Sequence, residues 1–407
     1  MSSITSAGAG TLLRQRSFVF FLLSRSLSRL SSLIGIVAMG WQVYDLTSSA
    51  FALGMIGLVG FLPTAILVFV AGHTVDRYER KRIVQACQLA EALTTFFLAW
   101  GAFSGWLTVV HIFIATLVLG TTAAFEWPAI AALLPLIAPQ GSLQRATALS
   151  SGAAQLATIA GPALGGFAYA VSPALAYAIM VLFWLMAPLA MGAIRIAEST
   201  ASEVEATPGD LFAGVRFIRK SPAILGTISL DLFAVLFGGI TALLPIYARD
   251  ILGTGPSGLG VLRAAPAVGA LLMTALLARH TIRRHVGRRM FQAVIVFGVA
   301  TVLFALSQWM WLSVLALAVL GAADTVSVVI RFSLVQLSTP NEMRGRVGAV
   351  NFLFINASNN LGQFESGVTA ALLGTVPAAV LGGVATIAVA LLWMKLFPSL
   401  RDVDRLE

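Results

Sequence analysis

Six ionisable residues stand inside long apolar runs: Arg25, Arg29, Glu126, Asp231, Asp324 and Arg331. A charged side chain in hydrocarbon costs at least about 2.5 kcal/mol on insertion scales, so such a group normally faces a partner or a wet cavity. Arg25 and Arg29 are one helical turn apart and Asp324 and Arg331 two, so each pair shares a helix face. Carboxylates near arginines in a partly dry cavity take up or release a proton as the cavity opens and closes, which is the chemistry of proton coupling. Direct substrate contact is a second role for the same groups. A structural ion pair of a carboxylate with Arg25 or Arg29 is a third.

The elements that hold these groups can be read from composition. Of 407 residues, 58% are hydrophobic and 11% charged, more apolar surface than a water-soluble core of this size hides. About 20 apolar residues cross roughly 30 Å of hydrocarbon as a helix. Twelve such blocks occur, near 17–44, 51–73, 83–103, 107–134, 145–170, 173–194, 222–248, 257–280, 288–307, 309–334, 346–372 and 377–397. They predict twelve transmembrane helices, with the six ionisable residues on helices 1, 4, 7 and 10. Arg29 and Asp324 fall near mid-membrane, and Arg25, Glu126 and Asp231 nearer one side.

The net charge of +9 raises the question of a nucleic-acid partner, but the basic residues track topology instead. With both ends placed in the cytoplasm, the inside segments hold 21 of the 26 Lys and Arg residues, and the outside loops hold only Arg249. This asymmetry is the positive-inside rule, and it predicts a multi-pass protein of the bacterial inner membrane with cytoplasmic termini and lipid as its solvent. Cys87 is the single cysteine, so no internal disulfide and no cysteine-rich metal site arises. Residues 1–10 carry no cleavable signal pattern, so helix 1 is expected to act as its own insertion signal.

An internal repeat decides the architecture. Tyr44 and Pro63 recur as Tyr247 and Pro266, both 203 residues on; His73 and Thr74 recur as His280 and Thr281 at 207; Gly120, Pro139, Arg145 and Gly161 recur as Gly321, Pro340, Arg346 and Gly362 at 201. The seam is a polar stretch, so the expected organisation is a six-helix bundle at 1–195, a cytoplasmic linker at 196–221 and a second six-helix bundle at 222–407. Arg216 to Lys220 is expected to lie along the cytoplasmic face.

The loop Gly72-His-Thr-Val-Asp-Arg-Tyr-Glu-Arg-Lys-Arg82 and the stretch Gln336-Leu-Ser-Thr-Pro-Asn-Glu-Met-Arg-Gly-Arg346 resemble signatures of major facilitator superfamily transporters, most of all the branch of enterobactin and macrolide exporters. The resemblance covers essentially the whole chain. It departs from the usual pattern at Thr74 and Glu79, and in the second copy Arg283 replaces the aspartate and Arg279 the first glycine. The resemblance implies an all-α membrane protein of two pseudo-symmetric six-helix bundles working by alternating access. Helices 1, 4, 7 and 10 would then line one central chamber, which would bring the six ionisable residues together. It also implies a gating latch made of Gly72, Asp76, Arg77, Arg80 and Lys81, in which Asp76 faces a helix end and Arg80 pairs with the acidic group. Physically, Gly72 permits close backbone approach and Asp76 suits the positive end of a helix dipole. A plain basic loop that only sets topology is the alternative.

In helix 5, Gly152 precedes Gly161, Pro162, Gly165 and Gly166, a pattern that resembles the motif of the antiporter branches and points to export. Ordinary small-residue helix packing is the alternative reading. Helix 11 is polar: Asn356, Asn360 and Gln363 form a stripe, expected to bond a facing helix or a substrate, with Glu365 beyond them as a weaker proton candidate. Glu91 and Arg263 are assigned to packing or contacts between halves. Trp127, beside Glu126, suits either a flat substrate or lipid.

Other classes fit less well. The four histidines have no metal-ligand spacing and no nucleotide-binding glycine loop exists, so neither an enzyme, nor a cofactor, nor direct use of ATP is expected. A channel needs no latch duplicated across tandem halves. The reading is therefore a monomeric secondary transporter, a proton-coupled exporter of an amphiphilic small molecule such as a siderophore or drug. A lipid or lysolipid exporter and a non-transporting receptor are the alternatives.

Overall fold

The computed structural model describes residues 12–139, 141–195, 212–280, 284–340 and 343–404, leaving aside the side chains of 69, 212, 213, 345, 349 and 352. Apolar runs this long form helices because lipid offers the backbone no hydrogen-bond partner. Twelve long helices result: α1 (Arg16–Thr47), α2 (Ala50–Arg77), α3 (Arg80–Ser104), α4 (Val109–Ile137), α5 (Leu143–Val171), α6 (Pro173–Gly192), α7 (beginning Pro222–Phe237), α8 (Gly255–Arg279), α9 (Val286–Leu306), α10 (Met310–Leu337), α11 (Arg344–Leu373) and α12 (Thr375–Leu396). Eleven of them agree with the apolar blocks within four residues at both ends. Among the described residues, eleven segments are long and apolar enough to cross a membrane; α11, long enough at 30 residues, falls short because of its asparagines, Gln363 and Glu365.

Helix α7 differs from the unbroken run expected over 222–248. Its α-helical part stops at Phe237, Gly238 and Gly239 interrupt it, and the chain continues as a 3-10 turn at Ile240–Leu243. It ends in a widened π-turn, in which the Leu252 N–H donates to the Tyr247 carbonyl at 2.8 Å. Two adjacent glycines lower helix stability, and Pro245 removes a donor shortly after. Gly239 is required by space, since a Cβ there would collide with the backbone of Gly362 on α11.

The chain divides into two compact units. One comprises Met1–Leu46 and Leu62–Glu203, the other Thr47–Phe61 and Val204–Glu407. The first turns of α2 thus group with the second unit, where Gly54 faces Gly367 of α11 so closely that a Cβ on Gly54 would lie 2.9 Å from the Gly367 Cα. The ring of Phe51 meets that of Phe364 edge-on at 6.3 Å. The sequence boundary at 195 did not anticipate this grouping, because a glycine-to-glycine contact leaves no trace in hydropathy.

The internal repeat appears in the packing of both units. In the first, a Cβ on Gly161 of α5 would lie 2.6 Å from the Leu33 Cβ of α1. In the second, a Cβ on Gly362 of α11 would lie 3.2 Å from the Leu236 Cα of α7. Gly161 and Gly362 are 201 residues apart, Leu33 and Leu236 203, so the same helix contact is built twice.

Of the linker, residues 196–211 lie outside the described part, as does Arg283 of the second loop copy. The chain then forms a short amphipathic helix, Phe212–Lys220, that buries Ile218 against Ile224, Ile228, Val335 and Val347 while keeping Arg219 and Lys220 exposed. At the other end of the second unit, the chain after α12 folds back over the start of α9. Leu400 is fully buried, Gly287 N–H donates to the Val403 carbonyl at 3.0 Å, and His285 N–H donates to Asp404 Oδ1 at 3.0 Å.

Candidate functional site

The six ionisable residues divide evenly between the units. Asp231 of α7 and Asp324 and Arg331 of α10 form a set in the second unit. Arg331 makes an ion pair with Asp231, and its Nη2 lies 3.8 Å from Asp324 Oδ1. Its Nε donates to the Ser327 carbonyl at 3.3 Å. Asp231 and Arg331 are each 8% exposed, whereas 45% of the Asp324 side chain is open. These residues line a narrow cleft with Ala234, Val235 and Phe297. The two-turn spacing on α10 puts Asp324 within reach of the guanidinium that holds Asp231 on α7. The partner of Asp231 is thus Arg331, whereas one alternative read from the sequence paired it with Arg25 or Arg29.

In the first unit Arg25 and Arg29 of α1 pair with no carboxylate of this set. Arg25 Nη1 donates to Ser150 Oγ of α5 at 2.5 Å, and the Arg29 guanidinium sits over the Trp127 ring, 5.8 Å from its centre. Trp127 is therefore engaged by a cation, a contact worth about 0.5–1 kcal/mol at an exposed site. Glu126 of α4 is 5% exposed and is held by Gln88 of α3, whose Nε2 lies 3.1 Å from Glu126 Oε1 and 3.1 and 2.9 Å from Ser24 and Ser28 Oγ of α1. Glu91, expected at a packing or half-to-half contact, is instead buried inside this unit and accepts from Thr122 Oγ1 at 2.7 Å. Gln88, Thr122, Ser24, Ser28 and Ser150 are missing from the sequence-derived site. Their signal was there: Ser24 and Ser28, Gln88 and Glu91, and Thr122 and Glu126 are polar pairs at helical spacing inside apolar runs.

The remaining candidates take local roles. Arg263 serves the second unit internally, its Nη2 donating at 3.3 Å to the Thr241 carbonyl in the 3-10 turn that follows the break in α7. Gly161 and Gly165 bring α5 against the α1 backbone, and Pro162 and Gly166 are buried beside them. Gly152 meets no atom within 4 Å of a built Cβ, so it takes no part in that contact. On α11 the amide of Asn360 donates to the Asn356 carbonyl at 2.9 Å, a bond within its own helix. Gln363 packs against Gly57 of α2, and Glu365 accepts from Thr369 at 2.8 Å.

The stretch expected as one basic loop is mostly helical: Gly72, Asp76 and Arg77 belong to the last turns of α2 and Arg80 and Lys81 to the first turn of α3. A Cβ built on Gly72 meets nothing within 4 Å. Among the described residues no ion pair joins Asp76 to Arg80; Asp76 and Arg77 are exposed, and Glu79 pairs with Arg82 at 2.5 Å. Lys81 has a definite role, since its Nζ donates to the carbonyls of Gly192 and Ile194 at 2.9 and 2.7 Å, closing the C-terminal end of α6.

Residues 7–406 match the family model described as transmembrane secretion effector. The chain belongs to this family of the major facilitator superfamily. It is 26% identical over 253 residues to macrolide efflux protein A of Streptococcus pyogenes, covering 61% of this chain and 62% of that one. It is 24% identical over 389 residues to the enterobactin exporter EntS of Citrobacter koseri, covering 95% and 92%. The fold is shared with the crystal structure of the nucleoside transporter NupG (D323A mutant), with a TM-score of 0.74 at 14% identity over 93% of this chain and 99% of that one. The expected fold class, twelve helices in the major facilitator arrangement, holds, and this member of the superfamily is a membrane transporter with efflux-type relatives.

Proposed function

We propose that the protein exports an amphiphilic small molecule, such as a siderophore or a hydrophobic drug, in exchange for protons. The observation that carries the coupling is Arg331 placed between Asp231 and Asp324 in the membrane-spanning part of the second unit. With Arg331 held by the buried Asp231, the more open Asp324 is the carboxylate able to exchange a proton with water and to meet a substrate's polar group. Its ionisation draws on the guanidinium, and its protonation returns the guanidinium to Asp231, so the charge state of the cleft depends on a proton. Glu126 is a second candidate in the first unit. Export is supported by the relatives' efflux and exporter functions and by the Gly161–Gly166 run of α5. The distribution of basic residues supports a cell-membrane protein with cytoplasmic ends, and Gly72, Asp76, Arg77 and Arg80 remain the proposed switch loop.

The test is flux in proteoliposomes holding the purified protein. A labelled macrolide is expected to accumulate in vesicles whose lumen is more acidic, and a protonophore should abolish the accumulation. Macrolide and siderophore flux indifferent to the gradient, or movement of a fluorescent lipid analogue alone, would overturn the reading.

A further inference from the structure

In the first unit, α3 and α4 present polar residues to each other in two rungs. Gln88 reaches Glu126 at 3.1 Å, and Thr122 reaches Glu91 at 2.7 Å, with Gln88 and Glu91 one turn apart on α3 and Thr122 and Glu126 one turn apart on α4. The box is closed to solvent: Gln88 is 0%, Glu91 3% and Glu126 5% exposed. Two of its atoms, Gln88 Oε1 and Glu91 Oε2, have no hydrogen-bond partner among the described residues.

Counting donors and acceptors shows what is lacking. The box offers five acceptors, the four carboxylate oxygens and Gln88 Oε1, against the two amide hydrogens of Gln88 and the hydroxyls of Thr122 and Ser28, the latter bonded to Glu126. The Thr122 hydroxyl also lies 2.9 Å from the Leu119 carbonyl, and the Gln88 amide is shared with Ser24 and Ser28. Neither arginine of α1 makes good the deficit, since Arg25 is bound to Ser150 and Arg29 stacks on Trp127. Of the other titratable groups on the helices around the box, Cys87 is buried on α3 and Tyr177 of α6 donates to Gln42 at 2.5 Å, while Arg16, Tyr44 and Asp45 of α1, Arg80, Lys81 and Arg82 of α3 and His111 of α4 stand towards the helix ends. Leaving buried acceptors unpaired costs about 1–3 kcal/mol each, more for charged groups, so two ionised carboxylates here are the least favourable assignment. One added proton turns Glu91 Oε2 from an orphan acceptor into a donor.

We propose that Glu91 and Glu126 form a proton-holding pair in the first unit, with Gln88 and Thr122 as its positioning residues. This rests on the exporter reading only for its purpose, the carrying of a coupling proton; occupancy of the pair does not require it. A monovalent cation such as sodium would satisfy the same orphan oxygens, and the experiment separates the two.

The experiment is infrared difference spectroscopy of the purified full-length protein in detergent at neutral pH, without substrate or gradient. Wild-type protein is expected to show the carbonyl stretch of a protonated carboxyl, downshifted in D2O, unchanged when sodium replaces choline in the buffer. The band should be lost in Glu91→Gln and in the Glu91→Gln/Glu126→Gln double variant, and Thr122→Val should shift it without removing it. A wild-type protein without the band, a band that sodium abolishes, or a band that survives the double variant overturns the proposal. The wild-type readings need no variant to fold. Because they need no transport either, they stand apart from the flux assay that tests the exporter reading.

Discussion

Arg331 on α10 pairs with Asp231 on α7, a partner that the sequence left open among three arginines. Both residues are almost fully buried, and the second carboxylate within reach, Asp324, is the one open to its surroundings. Removing one member of a buried pair strands the other, which typically costs about 3–5 kcal/mol. Arg331→Ala is therefore expected to lower the melting temperature sharply in detergent. Asp231→Asn/Arg331→Gln, which leaves only the more open Asp324 without its cation, should recover most of that loss while remaining inactive in flux. A double variant as unstable as the single one would show that the pair is not the source of the effect.

The exporter reading makes a separate demand on the carboxylates. Of Glu126→Gln, Asp231→Asn and Asp324→Asn, at least one should abolish proton-driven accumulation of a labelled macrolide while downhill movement persists. Accumulation by all three at wild-type levels would remove the proposed coupling groups together.

The glycines of α5 offer a controlled comparison. Gly161→Val puts a side chain where a Cβ already lies 2.6 Å from that of Leu33, and overpacking of this kind costs about 1–3 kcal/mol. Gly152→Ala adds its methyl to open space and should change stability by no more than about 0.5 kcal/mol. Thermal unfolding monitored by tryptophan fluorescence would separate the two; equal effects would mean that the α1–α5 contact does not depend on Gly161.

Lys81 binds two carbonyls at the end of α6. A cation at a helix C-terminus contributes about 0.3–1 kcal/mol, lost in Lys81→Ala and largely kept in Lys81→Arg. Equal melting temperatures for wild type and Lys81→Ala would reduce this residue to a topology charge.

The chain after α12 contributes the fully buried Leu400 and backbone bonds to the start of α9. Truncation after Phe397 should destabilise the protein by about 1.5–3 kcal/mol, the usual value for burying one large aliphatic side chain. A truncated protein that melts with the full chain would show that this fold-back is superficial.

The sequence by itself determined the number of the long helices and the bounds of all but α7, because the hydrocarbon thickness and the demand for internal hydrogen bonds favour a helix in an apolar run of this length. It also determined the repeat, since Gly161 and Gly362 stand at equivalent places and each is required where two helix backbones meet. Only the tertiary structure decided the partners. Which carboxylate Arg331 holds, that Arg25 turns to Ser150, that Glu91 and Glu126 share a box with Gln88, and that Arg263 reaches the Thr241 carbonyl are contacts between different helices. Spacing along one helix fixes which residues share a face; which neighbour that face meets depends on packing across the bundle, and no local periodicity encodes it.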